Sequence, residues 1–357
     1  MRSPGVRRAW HDVKTALLHY WLTNVRGGEK VLAALADMFP DAGIFTHAYR
    51  PERLGGLFAG RRVTESFIAR LPFGRRRPQA YLPLMPAASR SLDLSGCDLI
   101  VSSESGPIKG VRKPSGARHI CYCHTPMRYL WDMHDEYYRA AGPLGRAAMR
   151  LFTPYLRRED LRSADSVDVF VANSEFVAGR IRRIYGREAK VVHPPVDVGF
   201  FSAAPKAGPE GAPYYLFVGA SVPYKRMDIA VEACRRAGRR LVTAGGGSAT
   251  DEELRNLYAG ARALIFPGVE DFGIVPVEAQ AAGTPVIALG AGGALETVID
   301  GETGLFFREQ SAEALCGAIE EFESRAWSPE KCRANAARFS ADAFRGGMAA
   351  VVAISRP

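Results

Sequence analysis

The chain has 357 residues, of which 47% are hydrophobic, and it carries a net charge of +9 at pH 7. This length is sufficient for two domains, each with its own hydrophobic core. No apolar run approaches the roughly 18 residues of a membrane-spanning helix, and the start of the chain lacks the apolar core of a signal peptide. We therefore expect a cytoplasmic protein.

The positive charge is concentrated in the first part of the chain. Residues 1–205 contain 31 Lys and Arg against 19 Asp and Glu, whereas residues 206–357 contain 16 against 19. Arginines between residues 61 and 77 alternate with Phe58, Phe67 and Phe73, a mixture that suits either an anionic membrane surface or an ordinary solvated surface. No nucleic-acid partner is expected, because the sequence shows no helix-turn-helix, zinc-finger or RNP-like pattern.

The six cysteines are too sparse and irregular for a disulfide framework. The run Cys121-Tyr122-Cys123-His124 could suggest zinc, but alternate residues of one strand with no second ligand pair make a poor tetrahedral site. We expect reduced thiols in the core and no metal site.

Strands and helices alternate along the first half of the chain. A buried strand is predicted at residues 15–22, and Gly27-Gly28 follow it at the start of a helix with Val31, Leu32 and Leu35 on one face. Further strands are predicted at 43–47, 98–102, 119–123 and 167–172, and helices at 144–162 and 175–185. Ser174 is suited to cap the second of these helices.

A Pro-, Gly- and Ala-rich stretch at 194–213 indicates an interdomain linker. Beyond it, strands are predicted at 214–218, 240–244, 263–266, 285–289 and 304–307. Such alternation predicts doubly wound parallel sheets that bind ligands at the carboxyl ends of their strands. We therefore expect an α/β protein with Rossmann-like domains at 1–205 and 206–336 facing a cleft, and a C-terminal helix within 337–357 that packs back on the first domain.

The most informative segment runs from Glu270 to Glu278. It follows a predicted strand, and Pro276 suits the first turn of a short helix. Glu270 would then lie in the loop after the strand, and Glu278 about one turn into the helix, so that both acids can face one crevice.

The amides of Phe272, Gly273 and Ile274 would supply the positive end of a helix dipole between these acids. A ligand that carries phosphates and pairs of hydroxyl groups matches this arrangement, because a carboxylate can accept two hydrogen bonds from a diol. A sugar nucleotide has both features. Each glutamate by itself could equally be a solvated surface charge.

This segment, extended through Gly292-Gly293 and Glu296 to Gly304, resembles the signature of glycosyltransferase family 4. Four motifs of the N-terminal half resemble its bacterial mannosyltransferase-like branch, which builds O-antigen and exopolysaccharide: Arg26-Gly27-Gly28-Glu29-Lys30, Tyr81-Leu82-Pro83-Leu84-Met85-Pro86, the run from Cys121 to Tyr129, and Val192-His193-Pro194-Pro195-Val196-Asp197. The resemblance covers nearly the whole chain and implies the GT-B fold.

The resemblance also implies roles for individual residues. Lys225, in the loop after the strand at 214–218, would stabilise the leaving diphosphate with Arg226 as a helper. A lysine there departs from the habit of a chain with 8 lysines and 39 arginines, and an ammonium is a compact charge suited to a phosphate.

The other implied roles concern the donor sugar and the nucleotide. The backbone of Gly27-Gly28 would lie against the diphosphate, and His124 would contact the transferred sugar. Glu270 would bind the hydroxyls of the sugar, and Glu278 those of the ribose.

The reaction implied is transfer of a hexose with retention of anomeric configuration, without a metal ion or any cofactor beyond the donor. GDP-mannose is the expected donor, ahead of UDP- or dTDP-hexoses. The acceptor would be a glycan or a lipid-linked glycan, and the basic N-terminal domain could contact the cytoplasmic face of an anionic membrane.

Two features depart from the family pattern. Ala220-Ser221 stand where relatives carry an arginine, and only residues 245–250 connect the strand at 240–244 to the next helix, where relatives carry a further αβ unit. We therefore expect the second domain to lack one edge αβ unit. Two alternatives stay open: a sugar-nucleotide-binding protein with impaired catalysis, and an epimerase on the same architecture.

Overall fold

The computed structural model describes residues 13–203, 213–220, 222–245 and 249–354. These residues form two units. The first contains residues 13–173, 177–192 and 345–354, and the second contains residues 174–176 and the described residues from 193 to 344.

The first unit contains a seven-stranded, entirely parallel sheet in the order β3-β2-β1-β4-β5-β6-β7. Its strands are β1 (Thr15–His19), β2 (Gly43–Thr46), β3 (Val63–Glu65), β4 (Leu99–Glu104), β5 (Arg118–Cys123), β6 (Val169–Ala172) and β7 (Ala189–Val191). In the centre, Leu17 of β1 lies between Ile44 and Val101. Strands β1, β4 and β5 are buried along almost their whole length, as expected for a parallel sheet with both faces covered.

The connections of this sheet include five α-helices: α1 (Gly27–Met38), α2 (Met85–Arg90), α3 (His134–Ala140), α4 (Pro143–Asp165) and α5 (Glu175–Tyr185). Helix α1 turns Val31, Leu32 and Leu35 into the core, as its sequence period predicts. None of the described helices, including the 23-residue α4, combines the length and hydropathy needed to cross a membrane.

The second unit contains a five-stranded parallel sheet in the order β12-β11-β10-β8-β9. Its elements are α6 (Val198–Ser202), β8 (Tyr214–Val218), α7 (Met227–Arg236), β9 (Arg240–Ala244), α8 (Asp251–Gly260), β10 (Ala263–Phe266), α9 (Ile274–Ala281), β11 (Val286–Leu289), α10 (Ala294–Thr297), β12 (Gly304–Phe307), α11 (Ala312–Glu323) and α12 (Pro329–Ala337), followed by α13 (Ala341–Ile354), whose last residues belong to the first unit.

Successive side chains of β8 enter two different cores. Leu216 and Val218 pack on one face of the sheet, and Tyr215 and Phe217 pack on the other. The sheet is therefore covered on both faces, and the prediction of two doubly wound parallel domains is confirmed.

The boundaries of the units differ from the predicted ones at 205 and 337. The Val196 amide donates to the Phe339 carbonyl (2.9 Å), and Phe201 of α6 is buried in the core of the second unit. The chain therefore joins the second unit at His193, and it returns to the first at Arg345. The difference arises because the predicted linker contains apolar residues that fill a core. Its residues 204–212 lie outside the described residues.

Strand β9 is the edge of the second sheet, and the described chain passes from it to α8 without a further strand. The structure thus has the sheet expected for a domain that lacks one edge αβ unit. Residues Ser221 and 246–248 lie outside the described part of the chain.

Candidate functional site

In the second unit, Lys225 and Glu270 form an ion pair. Strands β8 and β10 are hydrogen-bonded neighbours, so the loops at their carboxyl ends are adjacent. Lys225 Nζ donates to Glu270 Oε1 at 2.7 Å, and the two side chains are only 15% and 20% exposed. The predicted leaving-group cation and the predicted sugar-binding acid therefore lie together.

Three glycines allow the loops around this pair to approach closely. A Cβ on Gly219 would lie 2.7 Å from Lys225 Cδ, and one on Gly268 would lie 2.9 Å from Lys225 Cα. A Cβ on Gly292 would lie 2.6 Å from the carbonyl oxygen of Glu270. Any larger residue at these positions would displace the ion pair, so the glycines fix its geometry.

Arg226, the predicted helper, has other partners. It adopts the left-handed conformation (φ 53°), and its guanidinium donates to the Asp228 carboxylate at 2.9 Å and to Gln310 Oε1 at 3.2 Å. The structure therefore pairs Lys225 with Glu270 and Arg226 with Asp228. The role of Arg226 at a diphosphate stays a prediction.

Glu278 is buried on α9, where the Tyr258 hydroxyl donates to its Oε2 atom at 2.9 Å. Burial, together with the neighbouring Glu278 carboxylate, raises the pKa of Tyr258 well above its ordinary value, so this phenol stays protonated. Tyr258 on α8 thus orients the predicted ribose-binding acid. Sequence reasoning missed it, because the two residues belong to different helices and Tyr258 has the burial of an ordinary core residue.

Helix α9 begins at Ile274, two residues before Pro276. Gly273 caps it with φ +87°, a conformation that favours glycine, and Pro276 still lies within the first turn, where its missing amide costs little. Ile274 therefore contributes to the amino end of the helix, as predicted. The ring of Phe272 packs inward, stacked on His193 at 5.4 Å between centroids, and the role of its backbone amide stays a prediction.

Glu296 is a further, partly buried acid of the second unit, and the sequence analysis gave it no role. It accepts hydrogen bonds from the Glu175 amide (2.9 Å) and the Phe176 amide (3.2 Å), and it lies 3.1 Å from His193 Nε2. Burial alone would raise the pKa of Glu296, but these bonds outweigh it and hold the pKa below its usual value. The Ser174 hydroxyl donates to the Asp271 carbonyl at 2.6 Å, which ties the loop after β10 to the same region.

In the first unit, Gly28 and His124 lie together. The sheet order β1-β4-β5 brings the start of α1, which follows β1, near the residue that follows β5. A Cβ on Gly28 would lie 3.4 Å from His124 Nε2 and 3.3 Å from His19 Cε1. Gly27 and Gly28 therefore leave two imidazoles close to the amino end of α1, where backbone amides favour an anion.

His124 is held as a neutral imidazole. Its Nε2 atom lies 2.9 Å from Ser103 Oγ at the end of β4. Burial, followed by the nearby His19, lowers the pKa of His124 to about 3. A neutral ring can exchange a hydrogen bond with a substrate hydroxyl near neutral pH without adding a charge.

His19, the last residue of β1, was missed by sequence reasoning. Its side chain is fully buried, and within the described chain neither ring nitrogen has a hydrogen-bond partner. Glu29 Oε1 lies 3.8 Å from His19 Nε2, and the other Glu29 oxygen accepts a hydrogen bond from the Arg26 amide at 2.9 Å. The sequence could have pointed to His19, because it is a histidine in the second half of a predicted parallel strand, toward the carboxyl end where ligands of such sheets bind.

A second missed feature is a buried ionic cluster beneath the loop that follows β4. Lys109 Nζ contacts Glu104 at 3.0 Å and also Asp160 of α4, and the Trp131 indole donates to Asp160 at 2.8 Å. Burial alone would lower the pKa of Lys109, but the two carboxylates outweigh it and raise that pKa well above normal. The cluster fixes the loop next to Ser103, the partner of His124.

No disulfide joins the six cysteines, all of which are described. Cys121 and Cys123 are buried in the core of the first unit, whereas Cys97 and Cys316 are only partly buried. In the part of the chain that the structure describes, no three His, Cys, Asp or Glu side chains are placed to hold a metal ion. Independence of a metal stays a prediction.

Comparisons with known proteins agree with this geometry. Residues 25–200 match the family described as Glycosyltransferase Family 4, and residues 242–339 match the one described as Glycosyl transferases group 1. The second match contains the segment from Glu270 to Glu278, and the first contains Gly27, Gly28 and His124.

Among curated proteins, the chain is 29% identical over 197 residues to the D-inositol 3-phosphate glycosyltransferase of Mycobacteroides abscessus. That alignment spans 44% of this chain and 44% of the relative, so less than half of the relative's length is matched.

Among solved structures, Anabaena Alr3699/HepE in complex with UDP and glucose matches with a TM-score of 0.67 at 17% identity, over 95% of this chain and 99% of that one. Sucrose-phosphate synthase from Thermosynechococcus elongatus matches with a TM-score of 0.66 at 17% identity, over 95% and 98%. The two family matches show that this chain belongs to glycosyltransferase family 4, and the structural likenesses show that it has a fold of the GT-B class.

Proposed function

We propose that this protein transfers a hexose from a sugar nucleotide to a glycan or lipid-linked glycan, with retention of anomeric configuration and without a metal ion. The observation that carries the proposal is the ion pair of Lys225 and Glu270 at the carboxyl ends of β8 and β10. Ligands of doubly wound sheets bind at this edge, and the pair offers one group for a phosphate and one for hydroxyls.

Lys225 would neutralise the negative charge that develops on the leaving diphosphate. A positioned cation in a partly dry site stabilises such a charge more than water can, and Lys225 is largely covered. The amino end of α9 at Gly273 and Ile274 would add backbone donors. Glu270 would accept hydrogen bonds from the sugar, and Glu278, oriented by Tyr258, would accept those of the ribose.

In the first unit, the family resemblance assigns contacts with a sugar-nucleotide donor to Gly27, Gly28 and His124. The backbone at Gly27 and Gly28 suits the diphosphate, and the neutral His124 ring suits a sugar hydroxyl. The acceptor hydroxyl would attack on the face from which the diphosphate leaves, and a phosphate oxygen would take its proton. This chain then supplies binding and charge stabilisation, and the donor supplies the base.

GDP-mannose is the donor that the sequence resemblance favours. The Anabaena protein whose structure contains UDP and glucose favours a UDP-hexose as the second candidate. Calorimetric titration with GDP, UDP and dTDP sugars separates the two, because the base-binding contacts should favour one nucleotide clearly over the others.

The function is tested by incubating the protein with a panel of labelled sugar nucleotides and a membrane extract, and reading the products by mass. The proposal expects a product that is one hexose heavier and that forms only when an acceptor is present. Anomeric configuration is then read by NMR of the isolated product. Conversion of the nucleotide sugar without any acceptor would instead identify an epimerase.

A catalytically impaired sugar-nucleotide-binding protein is the second candidate function. Two observations favour it: Ala220 offers no second cation beside Lys225, and residues 245–250 connect β9 to α8 directly. Such a protein would bind the donor with ordinary affinity and yield no product in the same assay.

We also propose that the protein is cytoplasmic and that its basic first unit contacts an anionic membrane. A lipid-linked acceptor would be held at such a membrane surface, and the cationic side chains of the first unit favour binding to anionic lipids.

A further inference from the structure

Helix α4 carries two apolar stripes, and only one of them packs against the protein. On the packed side, Thr153 and Leu156 are buried, and Leu156 contacts Met127 and Leu130. On the opposite side, Leu144 is 89% exposed and Leu151 69%, and Phe152, four positions before Leu156, lies at the margin between the two sides and is 36% exposed. Leu144 and Leu151 are seven positions apart, which places them on one face of the helix.

Within α4, the charged residues before Glu159 all have one sign. They are Arg146, Arg150, Arg157 and Arg158, of which Arg157 lies over the Trp131 ring on the packed side, and the acids of the preceding helix α3 are Asp135 and Glu136. A solvated helix usually mixes both signs, whereas an apolar face flanked only by cations is typical of helices that lie in the interface of an anionic membrane.

We propose that the first three turns of α4 lie on an anionic lipid surface, with Leu144, Leu151 and Phe152 in the boundary between headgroups and acyl chains. The arginines beside this stripe would contact lipid phosphates. The inference deepens the proposed membrane contact of the first unit and rests on that part of the proposed function. It assigns the contact to α4, whereas the sequence suggested residues 61–77.

The region at 61–77 suits lipid less well, although Phe73 is 71% exposed. Arg75 bonds to the Glu65 carboxylate at 3.0 Å, and Arg61 donates to Asp37 at 3.4 Å and to the Pro40 carbonyl at 2.6 Å. Glu65 and Asp37 therefore already neutralise part of the positive charge of the region at 61–77. In α4, the nearest acids of the helix, Glu159 and Asp160, bond to Arg90 and Lys109 instead.

The test is sedimentation of the full chain with vesicles of phosphatidylcholine alone or mixed with phosphatidylglycerol. The wild type should bind the mixed vesicles, and binding should weaken as salt is added. Replacing Leu144, Leu151 and Phe152 by serine should reduce the partition coefficient at least tenfold. Changing Arg150 and Arg158 to glutamine should weaken binding to mixed vesicles and abolish most of its salt dependence.

The matched control replaces Val231 and Leu295 by serine, since these side chains of the second unit are 48% and 56% exposed. This control should bind like the wild type. Equal binding by the triple variant, equal binding to uncharged vesicles, or loss of binding only in Phe73→Ser would each overturn the assignment to α4. So would failure of the wild type to bind either vesicle.

Circular dichroism and donor titration of the triple variant separate this inference from the enzymatic one. Its fold and its affinity for nucleotide sugars should match those of the wild type, because the three side chains lie outside the donor residues. Loss of either would show that α4 serves the protein's own structure, which contradicts the inference.

Discussion

At the scale of single residues, Lys225 and Glu270 depend on each other. They bond at 2.7 Å and are mostly covered, so each neutralises a charge that is costly to leave unpaired. The sequence could suggest both residues, because each follows a short apolar strand. It could not show their contact, since 45 positions separate them and only the pairing of β8 with β10 joins their loops.

Glu270→Gln should lower the rate of sugar transfer by about 100-fold, because an uncharged amide holds the sugar less well in the transition state. Affinity for the free nucleoside diphosphate should change by less than about threefold, since Glu270 acts on the sugar. Steady-state kinetics and calorimetry measure the two effects. Asp228→Asn is the control, because it removes a nearby paired acid without touching Lys225. Equal losses in rate and affinity would show that Glu270 serves nucleotide binding instead.

Tyr258→Phe should weaken nucleotide binding about fivefold, because a hydrogen bond to Glu278 worth ~1 kcal/mol is lost. The maximal rate should change little. The matched control is Tyr214→Phe, which removes another tyrosine hydroxyl bond, to the Leu257 carbonyl. If both variants have the same affinity for the nucleotide, Tyr258 does not orient the ribose-binding acid.

At the scale of elements, the strands that sequence predicts best are short apolar runs between turn residues. Strands β8, β9, β10 and β12 have the predicted bounds. The predictions did not include strands β3 and β7, because each has only three residues, none of them fully buried, and so gives no clear period. Helix α9 has Pro276 in its first turn, as predicted, but the left-handed conformation of Gly273 that precedes it is not evident from the sequence.

The parts of the candidate site that sequence could not provide are contacts between elements. The contact between Tyr258 and Glu278 joins residues 20 positions apart. The contact between Lys109 and Asp160 joins residues 51 positions apart. Apart from Glu278, which lies one turn into α9, the predicted site residues follow strands or lie at the starts of helices, where local pattern carries information. Their partners lie on helices whose packing only the structure shows.

Lys109→Met should lower the free energy of unfolding by about 3–5 kcal/mol, because it leaves the buried Asp160 and Glu104 without their cation. Lys113→Met is the control, since its pair with Asp168 is more exposed and should contribute less than about 1 kcal/mol. Urea unfolding followed by fluorescence measures both. A loss in Lys109→Met no greater than in the control would contradict the role of the cluster.

At the scale of the whole molecule, buried histidines make stability depend on pH. Burial lowers the pKa of His47 to about 4 and that of His119 to about 3, as it does for His124. In the unfolded chain these groups take up protons near pH 6.5. The unfolded state therefore binds more protons below that pH, and stability falls as the pH decreases from 6.5 toward 4.

We predict that the melting temperature is constant between pH 7 and 8 and falls measurably between pH 6.5 and 5, before most carboxylates titrate. Differential scanning calorimetry at low ionic strength measures this. His119→Gln should reduce the slope, because one of the three imidazoles with a lowered pKa is removed. A melting temperature that is unchanged down to pH 5, or a slope unchanged in the variant, would contradict the assignment.

The most direct measurement for the central claim is transfer of a labelled hexose from sugar nucleotides to a membrane extract, compared between the wild type and Lys225→Ala. The proposed function predicts a heavier labelled product with the wild type and at least a hundredfold less with the variant, although the variant remains folded. Equal product from both proteins, or label that stays on the nucleotide with an altered sugar, would contradict it.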